Sequence, residues 1–129
     1  MPGKIVIADD ATFIRIILKD LLTQGGYEVV AEATDGVEAI KKYFEFEPDV
    51  LFMNINMGEV SGIKAMLAIL QKDPNAKVII CSADSRPETV LNAIKLGAKS
   101  FIVKPFMPEK IYDAIEKTIG DDLKFDVEF

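Results

Sequence analysis

The stretch Lys4-Ile5-Val6-Ile7-Ala8-Asp9-Asp10 decides the fold. Its short β-branched run predicts a buried strand, and two acids end it. From Ala11 to Gln24 the apolar residues Phe13, Ile14, Ile17, Leu18, Leu21 and Leu22 recur at helical spacing and predict one wide apolar face, with Gly25-Gly26 as the stop. Working outward, the alternation repeats. Tyr27 to Ala33 predicts a second strand, placed at an edge by its polar Glu28 and Glu32, and Asp35-Gly36 opens a helix that Pro48 stops. Val50 to Met53 is wholly apolar and predicts a central strand. A loop from Asn54 to Gly62 leads to a helix ending near Lys72, and Asp73-Pro74-Asn75 is a turn. Lys77 to Ser82 predicts strand four, and Pro87 starts a helix that ends at Gly97. Ser100 to Val103 predicts strand five, and Pro108 starts a last helix closed by Gly120. Five such β–α units require parallel strands and right-handed crossovers. The expected fold is α/β: a five-stranded parallel sheet, doubly wound as (βα)5, in a flavodoxin-like three-layer sandwich.

Composition narrows the chemistry. The chain has 129 residues, half of them apolar, which suits one domain with a real core. The expected division is a domain over residues 1–120 and a tail over 121–129, a linker or an added strand. In that tail the alternation of Leu123, Phe125, Val127 and Phe129 looks strand-like. With no His and one Cys, histidine catalysis, a disulfide framework and a cysteine zinc site are excluded. No apolar run reaches membrane-helix length and no signal-peptide pattern opens the chain, so a cytoplasmic setting without membrane insertion is expected. Net charge is -6, and residues 1–60 carry all of the excess acid. That balance disfavours binding to a nucleic-acid backbone.

In an open α/β sheet the site lies at the carboxyl ends of the strands. Asp9 and Asp10, Asn54, Ser82 and Lys104 fall there. No GxGxxG follows a strand and no GxxxxGK[ST] is present, so neither a dinucleotide site nor a P-loop is supported. The remaining set of oxygens beside one ammonium suits a hard cation such as Mg²⁺ and the handling of a phosphoryl group.

Asp9-Asp10, a residue 44 positions after Asp10, Ser82 and Lys104-Pro105 together resemble the response-regulator receiver family. ADDATFIR near the start, Asp73-Pro74-Asn75-Ala76-Lys77, Cys81-Ser82-Ala83 and Gly97-Ala98-Lys99 with FIVKPF resemble its chemotaxis branch, over roughly residues 4–119. The resemblance implies a two-component phosphorelay protein and not an enzyme. Its phosphate would come from a partner histidine kinase. Its downstream protein target would dock on the surface of helix four, strand five and helix five. It implies Mg²⁺ held by Asp9, Asp10, residue 54 and the backbone carbonyl of Asn56. It gives Ser82 and Phe101 switch roles, Lys104 a phosphate contact, and the bond before Pro105 a cis geometry.

Two departures matter. Asn54 stands where the family carries the phosphoacceptor Asp. An amide oxygen carries no full charge and is a poor nucleophile, so ordinary phosphorylation is expected to fail and Mg²⁺ to bind more weakly. Gly58 stands where the family usually has Pro, which loosens the loop. Two readings of Asn54 stand side by side: a natural receiver that has lost phosphorylation, and an active receiver altered to block it. Three alternatives stand beside the stand-alone receiver: a truncated receiver half of a longer regulator, a phosphorylation-independent pseudo-receiver that acts by protein contact, and a phosphohydrolase. The last lacks the required Asp-x-Asp after strand one. The plainer roles are a helix cap for Asp9-Asp10, edge packing for Phe101, core packing for Cys81, and gap-filling packing for Met53, Met57, Met66 and Met107, while the tail is expected to add a strand to a neighbour and drive dimerisation.

Overall fold

A computed structural model describes residues 3–127, with side chains over residues 3–120. Strands and helices alternate from end to end: β1 (Lys4–Ala8), α1 (Thr12–Gln24), β2 (Glu28–Ala33), α2 (Gly36–Phe46), β3 (Val50–Asn54), α3 (Gly62–Lys72), β4 (Val78–Ser82), α4 (Pro87–Lys95), β5 (Ser100–Val103) and α5 (Pro108–Val127). All five strands are parallel, in the order β2-β1-β3-β4-β5. β2 is therefore an edge and β3 is central, as their polar and apolar compositions predict.

The period of two along each strand divides the core. Val6, Ala8, Leu51, Met53, Val78 and Ile80 face α2, α3 and α4. Ile5, Ile7, Val50, Phe52, Ile79 and Cys81 face α1 and α5. Both faces of the sheet are thus covered, which is why β1, β3 and β4 read as unbroken apolar runs. Chain order reverses at β1: β2 lies on one side of it and β3 on the other. The helices that leave β1 and β3 therefore go to opposite faces and open a crevice at the carboxyl ends of those strands.

Local chemistry sets the helix starts. Asp35 caps α2 by accepting from the Glu38 amide, while Glu38 accepts in return from the Thr34 amide. Ser61 caps α3 by accepting from the Lys64 amide. Gly62 opens α3 directly against the end of β3, where a Cβ would overlap the Asn54 carbonyl oxygen. Only glycine lets α3 start this close to the crevice.

Three expectations need correction. α5 runs through Gly120 to Val127, so the tail is helical to that point and not strand-like. One glycine costs a helix about 1 kcal/mol, too little to stop one already propagating. The proposed dimer contact through tail side chains lies outside the described residues. The apolar face of α1 is narrower than its spacing suggests: Leu18 and Leu22 are buried, whereas Phe13 is 65% exposed and Ile17 is also exposed. Helical spacing places residues on a stripe, but only the packed neighbours decide how wide a stripe is covered. Met53, Met57 and Met66 are core, but Met107 is half exposed in the loop before α5.

Candidate functional site

The crevice assembles five of the groups read from the sequence. β1 delivers Asp9 and Asp10, β3 delivers Asn54, the following loop delivers the Asn56 carbonyl, and the loop after β5 delivers Lys104. Asp9 is 3% exposed. Its Oδ2 accepts from Lys104 Nζ at 2.8 Å, and its Oδ1 accepts from the Ala11 amide at 2.9 Å. Lys104 Nζ also donates to Asn54 Oδ1 at 3.1 Å. The Asn54 amide nitrogen donates to the Asn56 carbonyl at 2.8 Å and reaches Asp10 Oδ1 at 3.5 Å. The ammonium on one side and the carbonyl on the other leave one sensible orientation for the amide, oxygen toward Lys104.

This arrangement answers two questions. Asp9 and Asp10 do not cap α1, whose N-cap is Ala11 without a side-chain bond. The oxygens near Asp10 face an N–H group rather than an open gap. Among the described residues no three Asp, Glu, His or Cys side chains gather closely enough to hold a metal. With the amide in this orientation, the residues present do not fit a bound divalent cation.

Ser82 and Phe101 stand apart from this knot. Ser82 ends β4 next to it, where its carbonyl accepts from the Lys104 amide and its Oγ accepts from the Asp84 amide. Phe101 is half-buried on β5, opposite Ile80, and packs on the core that faces α2, α3 and α4. The Lys104–Pro105 bond is cis. Gly58 sits at φ 60°, in the left-handed region. A proline ring holds φ near −65°, so this loop takes a backbone path closed to proline.

Sequence reading missed two supports. Arg15 donates from Nη1 to the Asp9 carbonyl at 2.6 Å and from Nε to Glu32 Oε1 at 3.0 Å, bracing the acid loop against β2. Its signal was a lone charge inside the apolar run Phe13-Ile14-Arg15-Ile16-Ile17. The second is the loop after β4. Asp84 accepts from the Arg86 guanidinium, the Arg86 amide and Thr89 Oγ1. Those bonds, with Arg86 first, hold the Asp84 carboxyl well below its ordinary value of 3.8. A lowered folded pKa stabilises at neutral pH, and the benefit is lost as the group protonates. The melting temperature of wild type should therefore exceed that of Asp84→Asn by a constant margin from about pH 5 upward, and the margin should shrink below 3.8. A margin independent of pH down to that region would refute the charge pairing. Cys81 is inert core: burial pushes its thiol up to about 12, against a smaller opposing pull from Lys104.

A cavity of about 500 Å³ lies on the far side of β5, lined by Phe101, Val103, Lys104, Met107, Lys110 and Lys117 among others. It is built from β5 and α5, while α4 adds the exposed Leu91 and Ile94 nearby in sequence to β5. No helix among the described residues is long and apolar enough to cross a membrane.

A parallel (βα)5 sheet with an acid pair, an amide, a hydroxyl and a lysine at its carboxyl end defines a receiver-type signalling domain. The chain matches the response regulator receiver domain over residues 5–116 and belongs to that family. Within it the chain is similar to the chemotaxis protein CheY of Thermotoga maritima, with 50% identity over 91% of this chain and 98% of that one. It is likewise similar to CheY of Bacillus subtilis, with 47% identity over 93% and 100%. Among solved structures, a chain of the CheX-CheY-BeF3-Mg complex from Borrelia burgdorferi aligns with TM-score 0.87 and 32% identity, covering 91% of this chain and 89% of that one. The protein is thus a CheY-like response-regulator receiver of two-component signalling.

Proposed function

We infer that this chain is a chemotaxis-type receiver whose crevice does not accept a phosphoryl group, and that it signals by contact in one held state. The supporting observation is the carboxamide of Asn54 at the end of β3, bonded to Lys104 on one side and the Asn56 carbonyl on the other. Phosphoryl transfer to this position needs a carboxylate oxygen to attack phosphorus. The amide has no such nucleophile, and its neighbours Met53 and Ile55 have none either. Asp9 lies close but is engaged by Lys104 and the Ala11 amide.

The relatives named CheY suggest a histidine kinase as upstream partner and a protein target downstream. The target's site on this reading is the surface of α4, β5 and α5. Exposed Leu91, Ile94, Val103 and Met107 there give apolar anchors, and Lys110 and Lys117 give a basic rim. Ser82 and Phe101 are the switch pair on this reading, and Mg²⁺ would reach Asp9, Asp10 and the Asn56 carbonyl only once the Asn54 amide has turned away from them. Incubation with acetyl phosphate and Mg²⁺ should leave the intact mass unchanged. A stoichiometric phosphoryl adduct at residue 54 or at the acid pair would overturn the reading.

A further inference from the structure

We propose that the Asn54 side chain is a built-in occupant of the crevice: its amide N–H group stands in the place of a divalent cation. The inference rests on the receiver reading only in taking Asp10 and the Asn56 carbonyl as the oxygens that face a cation. The rest is geometry.

A cation site is a set of oxygens that repel one another until something positive sits between them. In this crevice the positive group is already present twice. Lys104 Nζ lies between Asp9 Oδ2 and Asn54 Oδ1. The Asn54 Nδ2 hydrogens lie between the Asn56 carbonyl and Asp10 Oδ1. The chain of contacts runs Asp9, Lys104, Asn54, then Asn56 and Asp10, with no acceptor facing another acceptor. Asn54 is 8% exposed, so its amide competes with little water for these partners. Gly62 packs its backbone on the Asn54 carbonyl, which anchors the residue and leaves the side chain only its own torsions to move. For a cation to enter, the amide must turn over or leave, and both its donor bonds and its bond from Lys104 must break.

This differs from the simpler idea that Asn54 is a poor ligand. A poor ligand is still a ligand, and removing it weakens metal binding further. An occupant blocks, and removing it strengthens metal binding. The two ideas give opposite signs for Asn54→Ala.

Mg²⁺ titration of wild type, Asn54→Ala and Asn54→Asp, followed by calorimetry and by thermal melts in EDTA and in Mg²⁺, separates them. Asn54→Ala is expected to bind Mg²⁺ about fivefold more tightly than wild type, the equivalent of one net hydrogen bond. It should also melt lower than wild type in EDTA and recover in Mg²⁺, whereas wild type melts alike in both. Should the alanine variant be unfolded in EDTA, its refolding on Mg²⁺ addition gives the same answer. In the metal-free wild type, the Asn54 side-chain amide protons should exchange slowly in nitrogen-edited NMR spectra. Weaker Mg²⁺ binding by Asn54→Ala than by wild type overturns the proposal. Absence of Mg²⁺ binding in both variants overturns it too, and additionally removes the cation reading of the crevice. The acetyl phosphate experiment on wild type is untouched by either result, so the two readings fail separately.

Discussion

Asn54→Asp is expected to become phosphorylated by acetyl phosphate in Mg²⁺, from no adduct in wild type to a stoichiometric one. The carboxylate oxygen attacks phosphorus, the bond to acetate breaks, acetate leaves with the electron pair, and an acyl phosphate remains on residue 54. Lys104 is already placed for the transferring group, since its Nζ lies 3.1 Å from the residue-54 oxygen. The same substitution has a cost without metal. The new oxygen would face the Asn56 carbonyl and Asp10 Oδ1, positions now served by an N–H donor at 2.8 and 3.5 Å. A buried acceptor left without its donor costs about 2 kcal/mol, to which like-charge repulsion from Asp10 adds. Metal-free stability should fall by at least that amount, and Mg²⁺ at a hundredfold over its dissociation constant should return about 2.7 kcal/mol. Intact mass reads the first effect and urea unfolding in EDTA and Mg²⁺ reads the second. A variant that stays unmodified, with the stability of wild type in EDTA, would show that the geometry at position 54 has been misread.

Lys104→Met should lower stability by about 3 kcal/mol. Methionine keeps the apolar stem and removes the charge, so packing changes little. What changes is Asp9, a carboxylate that is 3% exposed and whose Oδ2 has Lys104 as its bonded cation at 2.8 Å. Removing one partner of a buried pair leaves an uncompensated charge and costs about 3 to 5 kcal/mol. Lys104 itself is 16% exposed, which puts the expectation at the low end. A surface pair such as Lys117–Asp113 gives the contrast, with an expected value under about 1 kcal/mol. The double variant Asp9→Asn/Lys104→Met should be less destabilised than the sum of its singles by about 2 kcal/mol. Urea midpoints with unchanged slopes would measure this. Additive, small effects would mean that water reaches the pair and that the crevice is not closed by it.

Ser82 stays out of the crevice contacts, because its Oγ accepts from the Asp84 amide in the loop that Arg86 and Thr89 clamp.

Much of this was legible along the chain because it depends on near neighbours. The β-branched runs, the proline starts of α4 and α5, the Asp35 cap and the acids after β1 are decided by spacings of a few residues. Alternating strand and helix patterns then call for a parallel, doubly wound sheet, and any such sheet brings Asp9, Asn54 and Lys104 to one end of it. Even the amide at position 54 is a fact of the sequence. The tertiary structure decided what depends on residues far apart in sequence. Which way the Asn54 amide turns follows from a lysine 50 positions later, and the charge on Asp9 is balanced by that same lysine 95 positions away. Arg15 gained its role from Glu32, 17 residues on and across β1–β2. Phe13 and Ile17 lost the burial their spacing promised because no neighbour covers them. Periodicity reports which residues share a face; only the packed chain reports what that face, or that amide, finds opposite it.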